Sequence, residues 1–235
     1  MKLHNSYMLG RQRRKSLPIS EDALREAAGN TFRPLQKCRG FFIGSMPPGE
    51  HRMHTAIICA SGPSLTPDDC QKAIGAELPV IAVNSSWRAV PGCSHIYAGD
   101  LRWWDASINE LPESAELWTC NYRAHTRYGL HLFETDTRWA FNSGQRSILF
   151  AASLGAKNII LLGFDCSVSG GSHWHGDHIG LDNPNAENAS RWRGEFASTA
   201  RLLAGKVNII NSSRQTALKC FRRLSLDEAL REVTC

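Results

Sequence analysis

From Thr55 onward, the feature that most constrains the fold is a series of short apolar segments, each followed by Gly, Asn or Asp. The clearest are Ala56–Cys59, Val80–Val83 and Asn158–Leu162. Between such segments the apolar residues take helical spacing, as in Ser143–Leu154 and Arg191–Ala204. Ser143 is the expected N-cap of the first of these, and Thr66 with Pro67 is expected to start a helix after the first apolar segment. Strands that alternate with helices over this length predict a mostly parallel sheet whose two faces are both covered by helices.

Three weaker segments extend the same pattern. Ser94–Ala98 ends at Gly99-Asp100, Glu116–Cys120 is less apolar, and Val207–Ile210 follows the second helical segment. The predicted fold class is therefore α/β, a single Rossmann-like domain over residues 54–235.

Residues 1–53 differ from the rest, because Pro and Gly interrupt them repeatedly and leave only Ser20–Ala28 as a predicted helix. We interpret them as an irregular basic N-terminal segment. Much of the net charge of +5 is local to Arg11, Arg13, Arg14 and Lys15. A solvated basic tail is the favoured interpretation. A nucleic-acid contact is the alternative, and no aromatic side chain beside the cluster supports it.

Composition predicts a cytoplasmic protein without a membrane span. No stretch of about 18 apolar residues occurs, and the basic N-terminus is not followed by the apolar region of a secretory signal. The chain has 8 cysteines but no C-x-x-C pair, which indicates reduced thiols rather than a disulfide framework.

Because ligands of parallel sheets bind outside the carboxyl ends of the strands, the residues that follow each strand are the first candidates for a site. Glycine lets the backbone approach a ligand, hydroxyls and amides bind ribose or phosphate, and a helix N-terminus favours anions. No Walker A loop and no G-x-G-x-x-G occurs here. The predicted nucleotide-binding residues are Ser61, Gly62, Pro63, Ser64, Asn84, Asp100, Ser143, Gly144 and Asp165.

The segment Ser172–His178 carries the most reactive side chains, with three histidines and an aspartate in its last six residues. One chemistry is proton transfer by His178, His175 or His173, with Asp177 as the orienting group. The alternative is a zinc-like metal site built from His173, His175, Asp177 and His178. The spacing matches the metallo-β-lactamase signature, but no histidine follows His178 to complete that centre, which disfavours such a hydrolase.

Taken in order, these segments resemble the bacterial sialyltransferases that use CMP-sialic acid, and the related pterin pyrophosphokinase-like domain. The resemblance is carried by Ser61-Gly62-Pro63-Ser64-Leu65, Ala82-Val83-Asn84, Asn142-Ser143-Gly144, Ala151–Asp165, Ser172–His178 and Asn211–Phe221. The last of these falls on the closing segment of the family, where a strand leads into a helix. The motifs N-S-G, L-L-G-F-D and W-H-G-D-H are also similar to those of a group of phage-encoded proteins of unknown activity. A phage or prophage origin, and hence a host cytoplasm, is the corresponding expectation.

The resemblance implies a nucleotide-sugar donor, an unknown acceptor hydroxyl and a histidine base, with no cofactor required. The base of the family falls on Asp177 without a gap, or on His178 with a shift of one residue. Two departures stand out, since Ser61 replaces an asparagine of the family and no tyrosines follow Asp165 to hold the leaving phosphate. Two alternatives remain open: a phosphoryl or pyrophosphoryl transferase that uses a divalent metal, and a non-catalytic binding or structural protein.

Overall fold

The computed structural model describes residues 53–134, 142–177 and 183–234, and within them an eight-stranded sheet has the order β5-β4-β3-β2-β1-β6-β7-β8. Every pairing between neighbouring strands is parallel. The strands are β1 Thr55–Cys59, β2 Val80–Val83, β3 His95–Tyr97, β4 Glu116–Thr119, β5 His131–Leu132, β6 Asn158–Leu162, β7 Asn208–Asn211 and β8 Arg222–Arg223. The predicted α/β fold with a parallel sheet is confirmed.

Six α-helices connect or follow the strands in the described residues. They are α1 Pro67–Gly75, α2 Leu101–Ser107, α3 Tyr122–Tyr128, α4 Ser143–Ser153, α5 Ala186–Leu203 and α6 Leu226–Thr234. Short 3₁₀ turns follow β2 at Asn84–Arg88 and α2 at Ile108–Glu110. None of these helices has both the length and the apolar character needed to cross a bilayer.

Two apolar cores lie on opposite faces of the sheet, because successive residues of each central strand point to opposite sides. In β1, Ile58 packs with α4 and α5 through Phe150 and Phe196. Its neighbour Ile57 belongs to the other core, which includes Trp104 of α2. Helices therefore cover both faces, which explains why the central strands are continuously apolar rather than alternating.

The predicted strands agree with the observed ones to within a residue or two at each end, and three boundaries need correction. Helix α5 begins at Ala186, five residues before the predicted Arg191. The residue that caps α4 is Asn142 rather than Ser143, since the Asn142 side chain accepts from the Gln145 N–H. The closing segment after β7 contains no helix before Leu226. The predicted helix Ser20–Ala28, the cluster Arg11–Lys15 and His178 lie outside the described residues.

Helix α1 shows how local sequence sets a helix start. Thr66 is the N-cap, Pro67 occupies the first turn, and the Thr66 hydroxyl accepts from the Asp69 N–H at 3.2 Å, as the sequence predicts for Thr66 and Pro67. Asp69 is buried and also accepts from Arg214, with Nε 2.8 Å from Oδ2. Burial works to raise the pKa of Asp69, but the hydrogen bonds from Arg214 and Thr66 outweigh it and hold that pKa below 3.8.

Asp69→Asn is expected to lower the free energy of unfolding at neutral pH by about 1–2 kcal/mol, because it removes a charge-assisted bond to Arg214. A lowered carboxyl pKa gives stability that is present above the unfolded-state pKa and lost as the pH falls through the folded-state pKa. The difference between wild type and variant should therefore shrink as the pH falls below 3.8. Urea denaturation across this range measures it. Asp68→Asn, an exposed neighbour on the same arginine, should change stability by less than about 0.5 kcal/mol.

Candidate functional site

The strand order places a crevice between β1 and β6. After β1 the chain builds β2 to β5 on one side, and it then returns to place β6 on the other side of β1. Connections leave the two strands in opposite directions at this point, which is where parallel α/β sheets bind ligands outside the carboxyl ends of their strands.

A cavity of about 400 Å³ lies at these strand ends, a volume typical of small-molecule sites. It is bounded by the turns after β1, β2, β3 and β6, by the start of α4 and by the first turns of α5. Of the predicted nucleotide-binding and catalytic residues, those that line it are Ser61, Gly62, Asn84, Asp100, Ser143, Gly144, Asp165 and His173. The prediction that residues from separate strand ends meet in one place agrees with this arrangement.

Gly62 allows the turns after β1 and β6 to pack closely against each other. A Cβ at this position would overlap the Gly163 carbonyl and the Asp165 carboxylate, so the turns after β1 and β6 touch through bare backbone. The Gly62 N–H donates to the Gly163 carbonyl at 2.9 Å. The close approach that glycine permits is therefore to the neighbouring turn of the chain.

Asp165 and Ser64 join the same two turns. The Ser64 hydroxyl donates to Asp165 Oδ1 at 2.6 Å, and the Ser64 N–H donates to Oδ2 at 2.8 Å. Burial raises the pKa of Asp165, and the bonds from Ser64 oppose that rise. With both oxygens occupied, the carboxylate acts as a tether between turns more than as a free group in the cavity.

His173 is held against the turn after β1. Its Nδ1 lies 2.8 Å from Ser61 Oγ, and the N–H of Trp174 donates to the Ser61 carbonyl at 3.0 Å. The segment of the predicted histidine cluster thus folds back over the strand ends and brings one imidazole into the cavity wall. Ser61 replaces the asparagine expected from the resemblance, and its hydroxyl is the group that contacts the histidine.

His175 and Asp177, the other described members of the cluster, do not line the cavity. His175 stacks face to face on His173, with ring centroids 5.0 Å apart. Asp177 is exposed and has no hydrogen bond to a histidine within the described residues. No three His, Cys, Asp or Glu residues in 53–134, 142–177 and 183–234 are grouped to hold a metal ion. Since His178 lies outside those ranges, the four-residue metal site stays a prediction.

Asn84 has two unusual properties at the end of β2. Its φ is +50°, in the left-handed region that asparagine tolerates better than most residues. Its Oδ1 is buried without a hydrogen-bond partner among the described residues. A buried acceptor left without a donor costs about 1–3 kcal/mol, so a ligand that donates a hydrogen bond here recovers that cost.

The start of α4 forms the opposite wall. Ser143 Oγ accepts from the Gly99 N–H at 3.0 Å, which ties α4 to the end of β3 and leaves the Ser143 O–H available as a donor. Asp100 is exposed and uses its carboxylate to cap α2 through the Arg102 N–H at 2.9 Å. The α4 N-terminus carries the positive end of an 11-residue helix, where anions are favoured.

Several wall residues were not among the predicted site residues, and two sets of them have a clear physical character. One is the first half of α5, which supplies Asn188, Ala189, Arg191, Trp192 and Phe196. Asn185 and Glu187 carry the signal that could have revealed it, because an Asn N-cap and an acidic first turn are typical of a helix start. The other is Cys166, whose thiol has a pKa raised by burial to about 12 and so stays protonated.

Pro63 and Ser64 do not line the main cavity. Pro63 instead lines a smaller one of about 230 Å³ on the other side of Asp165, together with Ser169, Thr216 and neighbouring residues. Asp165 and Ser167 contribute to the walls of both cavities.

Comparison with models of known protein families gives no match, and no curated protein sequence matches. Among solved structures, the chain is similar to the MAf glycosyltransferase from Magnetospirillum magneticum AMB-1, with a TM-score of 0.55 and 16% identity. The alignment covers 77% of this chain and 37% of that one, so the chain spans well under half of that protein's length. At this identity the likeness establishes the fold, and this chain shares an α/β fold that a glycosyltransferase also uses.

Proposed function

We propose that the chain is a glycosyltransferase that transfers a sugar from a nucleotide donor to an acceptor hydroxyl. The observation that carries this proposal is the cavity at the β1–β6 crevice, whose walls include Ser61, Asn84, Ser143 and His173 from separate segments of the chain. The fold shared with a glycosyltransferase and the resemblance to CMP-sugar-dependent sialyltransferases agree with it.

The nucleotide lies across the strand ends in this proposal. The buried Oδ1 of Asn84 accepts from a ribose hydroxyl or from an amino group of the base. The Ser143 hydroxyl, whose lone pair already accepts from the Gly99 N–H, donates to a phosphate oxygen beside the α4 N-terminus. These contacts hold the donor in a fixed position in the cavity. Fixing the reacting groups in this way lowers the entropic part of the activation barrier.

His173 is the general base in the proposed reaction. It removes the proton of the acceptor hydroxyl as that oxygen attacks the anomeric carbon, while the bond from that carbon to the leaving phosphate oxygen breaks. The electron pair of the broken bond stays on the phosphate, the proton leaves the imidazole to solvent, and the configuration at the sugar inverts. Ser61 holds the imidazole through Nδ1.

A thermal-shift screen with CMP, CDP, UDP, GDP and ATP, each with EDTA and with zinc or manganese, tests the proposal. A nucleotide at about 100 times its dissociation constant stabilises the folded state by about 2.7 kcal/mol. We expect the melting temperature to rise in EDTA with the nucleotides of one base. A rise only in the presence of metal would favour the phosphoryl-transferase alternative, and no rise under any condition would favour the non-catalytic one.

Asn84→Gly is expected to weaken the affinity for the stabilising nucleotide about 3- to 10-fold, since one hydrogen bond is lost. Glycine adopts positive φ without cost, so the variant should be as stable as the wild type in the absence of nucleotide. Isothermal titration measures the affinity, and Asn208→Gly at an exposed strand start serves as the control for an asparagine outside the cavity. Unchanged affinity in Asn84→Gly would remove Asn84 from the site.

A further inference from the structure

The cavity wall contains one lysine or arginine among the described residues, Arg191 in the second turn of α5. The other charged groups in the wall are the carboxylates of Asp100 and Asp165. Since the Asp165 oxygens are occupied by Ser64 and Asp100 caps α2, Arg191 is the fixed charge in the wall best able to meet an anionic ligand.

Arg191 pairs with a carboxylate of its own helix, and its side chain is 58% exposed. Its Nε lies 3.5 Å from Oε1 of Glu195, one turn further along α5. The Glu195 side chain is only 11% exposed, and its Oε2 accepts from Asn142 Nδ2 at 3.1 Å. These contacts connect the guanidinium to the residue that caps α4, and they join α5 to the start of α4 in the wall of the cavity.

The contact to Glu195 is made through Nε. No residue in the described part of the chain bonds to Nη1 or Nη2, and these two atoms can form the fork that binds an oxyanion. Asn142 is the N-cap of α4, so the positive end of that helix lies next to it. The Ser143 hydroxyl is a further donor at this helix start. Guanidinium, hydroxyl and helix N-terminus are three different kinds of group, and each of them favours a negatively charged ligand.

We propose that Arg191 binds an oxyanion of the donor next to the anomeric carbon, either the leaving phosphate or the carboxylate of an acidic sugar. This inference rests on the proposed function. It gives α5 the role that the resemblance assigns to tyrosines which this chain does not have after Asp165. A fixed cation at the departing phosphate stabilises the charge that develops there in the transition state.

Isothermal titration with cytidine, CMP and CMP-N-acetylneuraminate tests the role of Arg191. If another base stabilises the wild type, the nucleoside, nucleotide and nucleotide sugar of that base replace these three probes. Arg191→Gln should leave the affinity for cytidine unchanged. If Arg191 binds the phosphate, the affinity for CMP falls about 10- to 100-fold. If it binds the carboxylate, only the affinity for CMP-N-acetylneuraminate falls by that factor. Arg191→Lys should restore part of the loss, because the charge returns without the fork.

Arg201→Gln, at the exposed end of the same helix, is the matched control and should bind all three probes like the wild type. Equal affinities of Arg191→Gln and wild type for every probe would overturn the inference while leaving the proposed function intact. An equal loss for cytidine would also overturn it, since the arginine would then act on the shape of the cavity. A wild type that binds no probe would instead refute the proposed function, and this inference with it.

Discussion

His173→Gln is expected to lower the rate of glycosyl transfer about 10²- to 10⁴-fold, the usual contribution of a general base. Glutamine keeps a polar group within reach of Ser61 but does not take up a proton at the pH of the reaction. The affinity for the nucleotide should change much less than the rate, because the base acts on the acceptor. Turnover of a labelled donor, measured together with nucleotide affinity by titration, separates the two effects.

His175→Gln and His178→Gln are the controls for this experiment. His175 stacks on His173 without lining the cavity, so its replacement should reduce the rate only modestly. His178, the position that the family resemblance favours with a shift of one residue, provides the sharpest contrast. A full loss of rate in His178→Gln with a nearly normal His173→Gln would contradict the assignment of the base.

Gly62→Ala is expected to lower the free energy of unfolding by about 3 kcal/mol or more, because the added Cβ overlaps backbone as well as a side chain. The Gly163 carbonyl cannot rotate away as a side chain can, so the turns after β1 and β6 must separate. The same separation should also weaken nucleotide binding. Urea denaturation and thermal unfolding measure the stability.

Gly194→Ala is the matched control. Gly194 lies in α5 with nothing within 4 Å of the added Cβ, so alanine should stabilise the helix by about 0.5–1 kcal/mol. The two substitutions are chemically identical and should change stability in opposite directions. A Gly62→Ala protein as stable as the wild type would show that the two turns do not touch as described.

The sheet could be predicted from sequence because its central strands are buried on both faces. Val80–Val83 is apolar throughout and Asn158–Leu162 is apolar after its first residue, and the observed strands have the same bounds. The edge strands β5 and β8 are two residues each and carry histidine or arginine, so their sequence holds no strand pattern. Their place is set by pairing with a neighbour, which is a tertiary effect.

The meeting of residues from separate strand ends in one cavity could be predicted by the same logic, whereas the contacts among those residues could not. Parallel strands bring Ser61, Asn84 and Asp165 to one edge of the sheet wherever they stand in the sequence. The contact between Ser61 and His173 joins residues 112 positions apart, and no local pattern encodes it. Likewise, the spacing of Gly62 and Asp165 gives no sign that the two turns are packed against each other.

The start of helix α5 could not be predicted from the sequence either. Its apolar spacing predicted a helix from Arg191, and the true start at Ala186 adds the turns that line the cavity. Sequence patterns place helix ends less reliably than helix centres, because capping competes with other turn conformations. Arg191 was therefore placed at a predicted helix end, and its position in the cavity wall became visible only in three dimensions.

The position at which the nucleotide binds tests the proposed site at the β1–β6 crevice. Amide chemical-shift mapping of ¹⁵N-labelled protein, titrated with the nucleotide that stabilises it most, reports this position residue by residue. The largest changes are expected at Ser61–Gly62, Asn84 and Ser143–Gly144, with little change at the edge strand β8. Changes concentrated away from the β1–β6 crevice, or spread evenly over the surface, would contradict the proposed site.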